Sequence, residues 1–385
     1  MWIRNLLTEK TLRSILPHVR QNSKKTLQPL KHYIMRKYFT LIFILIYVIS
    51  FGQESIIDDL WKLYNSQEFK SVIEKAKPLL ENEPNNTDLN LIVGRTYAHQ
   101  ANYSKAILYL KVAAENDKND TWRKAWALNY LGTCCYMIGE YDDSKQYLKE
   151  CIALNATKNS RNDAIGKNSL FGFHKSFNKW KYIETENFRF YFQEMDDNDI
   201  KNYTELREEA YVEINNFFES TLPKKIDFFV WKSRRKAKRM LKKDLGFAYP
   251  VYCITHSHYE QTIGHEMTHI ISHYATNISH KNRFIDEGTA VCFDQSHQDR
   301  LKQVKDWIEK NNKRITVKDY WENVNNHSDE IVYPLAGLFV KELIDNFGRD
   351  KFIEFFCNQT YENAKLVFGV NLDKVIKEFE NKINK

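Results

Sequence analysis

Glycine and proline are scarce, 12 and 7 in a chain of 385 residues. Such a chain is neither collagen-like nor a Pro-rich low-complexity array. Long apolar runs are missing too. The most extended, Tyr38–Phe51, has 14 residues, whereas a membrane-spanning helix needs ~20; this excludes a multi-pass membrane protein. The six cysteines (Cys134, Cys135, Cys151, Cys253, Cys292 and Cys357) make no CxxC pair, hence no close-spaced metal pattern. Whether they form disulfides or stay as buried thiols is not legible in their spacing. A basic body is also absent. Nine of the 57 Lys/Arg, but one of the 50 Asp/Glu, lie in residues 1–52, so the net +7 of the chain becomes −1 beyond them. That removes a global attraction to nucleic acid. What is present, 43% hydrophobic and 28% charged residues, suits a globular chain long enough for two domains.

The basic excess belongs to a leader. Met35-Arg36-Lys37 is a short positive region, Tyr38–Phe51 is apolar, and Ser50 and Gly52 place small residues before a cleavage after Gly52. That is the anatomy of a signal peptide over 35–52, and it predicts an exported protein, periplasmic, outer-envelope or secreted. Because such a peptide begins a chain, residues 1–34 are expected to be an upstream extension and Met35 the start. The competing reading is an uncleaved signal anchor, for which a helix of ~14 apolar residues, ~21 Å long, is short.

Residues 54–157 carry a helical pattern that repeats. Phe69, Tyr103 and Tyr141 align at spacings of 34 and 38 residues. Gly94, Tyr97, Tyr103, Ala106 and Ala113 fall at offsets 8, 11, 17, 20 and 27 of one unit, Gly132, Cys135, Gly139, Tyr141 and Cys151 at 8, 11, 15, 17 and 27 of the next, and Pro84 closes the unit before them. Small residues at such positions let paired helices approach closely, and aromatics fill the space between pairs. The pattern resembles the tetratricopeptide repeat, which implies a concave face for a protein partner or substrate; a spacer supporting the next domain is the blander role. The polar, aperiodic stretch Thr157–Asn168 reads as the start of a linker over 158–178.

The chemistry-bearing segment is His265-Glu266-Met267-Thr268-His269, an HExxH. Residues 261–275 carry an apolar stripe (Ile263, Met267, Ile270, Ile271) and read as a helix. Four residues apart on a helix, His265 and His269 share a face and can bind one ion, with Glu266 one step round, beside the ion. A catalytic zinc needs a third protein ligand and an open position. Ser272 and Ala275 stand where the metzincin pattern requires Gly and His. Eighteen residues past His269 lies Glu287, within Phe284-Ile285-Asp286-Glu287-Gly288-Thr289-Ala290.

This pairing resembles the gluzincin zinc peptidases, whose third ligand is the Glu of a W-L-x-E-G-x-A motif; Phe284 stands at the Trp. Residues 179–385 resemble the peptidase MA-like domain, including Tyr333–Leu343 and Phe368–Leu372. A G-x-M-E-N element, with which aminopeptidases of that clan grip a substrate amino terminus, is absent. The resemblance implies an α+β protein: an all-α tetratricopeptide-like stack, then a thermolysin-like catalytic domain with a small mixed α/β subdomain and a helical one. It further implies Zn²⁺ held by His265, His269 and Glu287, Glu266 as general base in peptide hydrolysis, and Tyr333 as hydrogen-bond donor to the oxyanion. The stretch Phe247–Thr255 is expected to be an edge strand that pairs with extended substrate, a place where Pro250 is tolerated.

The remaining candidates read as structural. His273 is rotated about 80° from His265 along the helix; His256 and His258 are expected in a loop; Asp286 and Asp294 suit surface or cap positions, with support of a ligand imidazole as the sharper alternative. The run Lys232–Lys243 holds eight basic residues and no acid. It reads as a solvated helix face that can meet anionic lipid or an acidic partner, without the aromatic interleaving of a nucleic-acid surface. The expected partners are a peptide or protein substrate and a protein on the repeat, with no nucleic acid; membrane contact would come only through an uncleaved leader or the basic run. A non-catalytic envelope scaffold with a residual or structural zinc site is the alternative from another class.

Overall fold

The computed structural model describes residues 56–385, which belong to two compact units, one ending at Leu79 and one spanning Leu80–Lys385. The expected upstream extension and signal peptide lie outside the described residues. In the first unit, residues 56–65 are helical and helix α1 (Phe69–Asn82) begins; Leu60, Tyr64, Val72 and Ala76 are buried. Among the described residues no helix is long and apolar enough to cross a membrane, and all six cysteines are free. Burial pushes the Cys134 and Cys292 thiols up to about 12, and those of Cys135, Cys151 and Cys253 up to about 11. These five thiols are protonated at neutral pH.

The fold is α+β, mostly helical with one small mixed sheet. In the second unit α2 (Thr87–His99), α3 (Tyr103–Asn116), α4 (Trp122–Met137) and α5 (Tyr141–Leu154) pack in succession through short turns. Glycine sets the closeness. A Cβ on Gly94 would lie 2.7 Å from Leu110 Cγ, and one on Gly132 2.7 Å from Leu148 Cγ, so only a hydrogen fits there.

The stretch read as a linker is instead a helix, α6 (Lys158–Leu170), packed on α5 and α4. Thr157 caps it by accepting from Ser160 N at 3.2 Å. Its buried face is Ser160, Ala164 and Ser169, too small and polar to register as an apolar stripe. Lys167 Nζ reaches into the stack to Asn129 Oδ1 at 2.7 Å.

The sheet has the order β1-β2-β3-β5-β4. β2 (Phe188–Phe192), β3 (Ile226–Trp231) and β5 (Ile254–His258) are parallel; β1 (Lys181–Glu184) and β4 (Phe247–Tyr249) are antiparallel edges. Trp180–Gln193, whose alternating pattern reads as one strand, is the β1–β2 hairpin. Its turn carries no glycine or proline and is held by Asn187, whose N and Nδ2 donate to Glu208 at 2.9 and 2.7 Å. The expected edge strand is likewise shorter. It stops at Tyr249, Pro250–Tyr252 form a 3-10 turn, and Cys253 at φ 50° redirects the chain into β5. His256 and His258 therefore sit buried on a strand rather than in a loop.

One sheet face (Phe188, Phe190, Phe192, Ile226, Phe228, Val230) packs on α7 (Asp197–Phe218) and on the later helix α9 (His265–Ala275). The other carries Asp227, 1% exposed. Its Oδ2 accepts from Lys224 Nζ at 2.6 Å, Arg189 at 2.8 Å and the Tyr136 hydroxyl of α4. Lys224 Nζ lies 3.5 Å over the Tyr136 ring and Arg189 4.2 Å over Tyr141. Burial lowers the Lys224 pKa despite Asp227. One carboxylate thus meets two cations, and ring faces help to screen their excess charge. Losing one partner of such a buried set costs about 3–5 kcal/mol. This cluster joins the helices to the sheet within the unit Leu80–Lys385.

His256 ties the same face to α6. Trp231 Nε1–H donates to His256 Nδ1 at 2.9 Å, so the ring proton is on Nε2, which donates to Leu170 O at 2.9 Å. Burial lowers this imidazole from 6.5 to about 3. The unfolded chain therefore binds one more proton between those values, and stability is lost as pH falls from 6.5 towards about 3. Urea unfolding across this window should show that slope in the wild type. A His256→Gln variant, less stable at pH 7, should lose one proton's share of it; an unchanged slope would mean that His256 is not the group responsible.

Candidate metal centre

Two helices present the cluster. α9 (His265–Ala275) buries Met267, Ile270 and Ile271 against the sheet and α7, which turns His265 and His269 the other way. It is kept close by Gly264, where a Cβ would collide with the Phe293 carbonyl. α10 (Arg283–Cys292) starts at Asn282, whose Oδ1 caps Phe284 N at 2.9 Å and Ile285 N at 3.4 Å. Asn282 is itself anchored, its N to Gln359 Oε1 at 2.8 Å and its Nδ2 to Trp321 O at 3.0 Å. Next along the chain come α11 (Arg300–Asn311) and α12 (Val317–Glu322), then α13 (Asp329–Phe347), which packs along α10; a Cβ on Gly288 would lie 2.6 Å from Ala336 O. Phe284 and Ile285 enter the core that α13 shares with α14 (Arg349–Phe356), α15 (Tyr361–Phe368) and α16 (Asn371–Ile383).

His265, His269 and Glu287 converge, with one ligand atom from each within 4.8 Å of the others. Glu287 Oε2 lies 3.3 Å from His265 Nε2 and 3.5 Å from His269 Nε2. It is buried and makes no hydrogen bond. Two imidazole nitrogens and a carboxylate oxygen aimed at a common point are a donor set suited to a divalent transition ion, zinc among them. The residues fit such an ion.

The electrostatics point the same way. Burial opposes a charge on His269, but Asp286 and Glu287 outweigh it and lift the imidazole to about 10. Burial would raise Glu287, yet the two imidazoles hold it well below the usual carboxylate range. The pocket favours positive charge, and a metal ion would displace a proton there. Glu266 is 4% exposed, and burial raises its carboxyl above the usual range while both imidazoles pull it down. Tyr333, on α13, stacks on His265 with ring centroids 5.9 Å apart. Burial, then the Glu287 carboxylate, pushes its phenol well above the ordinary value, so it stays a donor.

Asp286 lies neither on the surface nor at a cap, where the sequence placed it. It is 6% exposed, and its Oδ2 lies 3.1 Å from His269 Nδ1 and 2.9 Å from Lys281 Nζ. It orients the imidazole so that Nε2 faces Glu287. The signal was a carboxylate next to the third candidate ligand, Glu287, on a helix facing the one that carries the two histidines. Asp294 instead pairs with Arg300. His273 lies beyond the cluster; burial lowers its pKa. The basic run forms α8 (Arg234–Leu241), exposed except for Ala237 and the half-buried Met240 and Leu241.

Replacing Asp286 by Ala should weaken zinc binding about 10–100-fold, read by competition with a chromogenic chelator, with an unchanged far-ultraviolet dichroism spectrum. Equal affinity would remove the supporting role. Compared with known proteins, the chain matches no family model and no curated protein.

Proposed function

We propose that this protein is a zinc-dependent peptidase of the gluzincin type, whose leading helices act as a tetratricopeptide-like stack that recruits a protein partner or substrate. The observation that carries the reading is the convergence of His265, His269 and Glu287 around a buried carboxylate oxygen without a hydrogen bond, with Glu266 buried beside them. A zinc ion bound there supplies Lewis acidity and makes a water nucleophilic near neutral pH. Everything else falls to the chain. Glu266, held by α9 next to both imidazoles, accepts the proton of the attacking water and returns it to the leaving amine. Tyr333, protonated and stacked on His265, donates a hydrogen bond to the oxygen that gains negative charge. Asp286 keeps His269 in the tautomer that leaves Nε2 free to ligate. The leader over 35–52 supports export as the setting for this activity.

Metal content and cleavage of a quenched mixed-peptide library separate the roles. Wild type should hold about one zinc per chain and lose cleavage on chelation. Glu287→Ala should lose the metal. Glu266→Gln should keep the metal and lose cleavage by ~10²-fold or more. Tyr333→Phe should keep the metal and lower kcat by ~10²-fold if it serves the oxyanion. Zinc without cleavage would move the function to a scaffold with a structural ion. A wild type that binds no zinc after reconstitution would end the reading.

A further inference from the structure

We propose that the metal cleft takes polypeptide segments rich in acidic side chains, gripped by Lys242 and Lys243 beside the edge strand β4. This deepens the peptidase reading and rests on it. The cations of the basic run differ in their partners. Lys236 meets Glu194 at 3.5 Å and Lys238 meets Asp244 at 3.0 Å, both on the surface. Lys242 and Lys243 have no carboxylate partner among the described residues. Lys243 is nonetheless held in place. Its Nζ lies 4.3 Å from the ring centre of Phe247 and 5.1 Å from that of Tyr249, which orders the side chain without neutralising it. Lys242, at φ 56°, ends α8 and turns the chain towards β4.

The position of these lysines links them to the chemistry. β4 is the outer strand of the sheet, and α9, which carries His265 and His269, packs against it. The loop between Lys243 and β4 abuts the same region, with Gly246 against the side chain of Gln261, four residues ahead of His265. A cavity of about 670 Å³ opens beside the lysines, between α6 and the edge strand; Lys242, Lys243, Phe247 and Tyr249 line one side, and Asp163 and Lys167, paired with each other at 2.9 Å, line the α6 side. Aromatic walls under a cationic rim match a Glu or Asp side chain, whose stem lies on the rings and whose carboxylate meets the ammonium groups. An extended segment pairing with the free edge of β4 would place alternate side chains there. A flat anionic surface would leave this recess unused.

The test uses the full chain as Glu266→Gln, loaded with zinc, and a fluorescein-labelled Glu-rich peptide beside its Gln counterpart. Fluorescence anisotropy should give about fivefold tighter binding of the Glu-rich peptide, as expected for two partly exposed ion pairs. The gap should close as salt rises and vanish in Lys242→Gln/Lys243→Gln. Equal binding of the two peptides, or an advantage that survives the double substitution, would overturn the proposal. So would capture by phosphatidylglycerol vesicles without any peptide preference, which would assign the lysines to a lipid surface. Zinc content and wild-type cleavage of the Gln peptide are read in parallel. If both are present without the acidic preference, the specificity alone fails; a chain that holds no zinc and binds neither peptide fails both readings.

Discussion

The cluster depends on two glycines, each next in sequence to a candidate ligand. Gly264 precedes His265 and faces the Phe293 carbonyl at the end of α10; Gly288 follows Glu287 and faces the Ala336 carbonyl of α13. Neither has a left-handed backbone, since both are absent from the positive-φ glycines. What each supplies is the missing Cβ. Three helices therefore touch backbone to backbone at the points where the imidazoles and the carboxylate leave them. A methyl group at either site would displace main chain rather than a movable side chain, a packing strain of about 1–3 kcal/mol. The displacement would also be transmitted to atoms whose separations are only 3.3 and 3.5 Å. Because Tyr333 and Ala336 are one helical turn apart, the same contact sets the phenol over His265.

Two carboxylates of the second unit, Asp227 and Glu287, make an instructive pair. Asp227 Oδ2 is saturated by Lys224, Arg189 and Tyr136, all supplied by the chain, and it joins structural layers. Glu287 Oε2 is also a buried atom, but it has no hydrogen bond and lies 3.3 and 3.5 Å from the two imidazole nitrogens. A buried polar atom without a partner is costly, so its arrangement makes sense where a cation completes it. Lys281, Asp286 and His269 continue the alternation of charge away from the site. Each group there is oriented by the next.

Legibility in the sequence followed the size of the signal. The helix of His265 was readable because large apolar residues recur on its buried side, and Glu287 because it opens a second apolar stretch. The three come together in space, although their spacing could not give the 3.1 Å contact of Asp286 with His269. The helix over 158–170 was missed because it packs with serine and alanine, which carry almost no periodicity. The β1–β2 turn was missed because a side-chain clasp from Glu208, distant in sequence, does what glycine usually does. Pro250 truncated the edge strand by denying it a donor. His256 and His258 were misplaced because strand burial on both faces hides polar residues among apolar ones. A histidine there is explained only by the indole of Trp231 and the carbonyl of Leu170.

The Asp227 junction bears on how this protein can be taken apart. Its carboxylate sits on the sheet, its hydroxyl donor on α4, and the rings that shield its cations on α4 and α5. A fragment beginning at 179 would leave Arg189 and Lys224 without those rings and bare the sheet face that they cover. A fragment ending at 157 would lose α6 and open the polar end of Asn129 to water. The helices and the sheet beyond Leu80 are therefore poor candidates for independent modules. Exchange of one half between related proteins would need both sides of this contact to be transferred together.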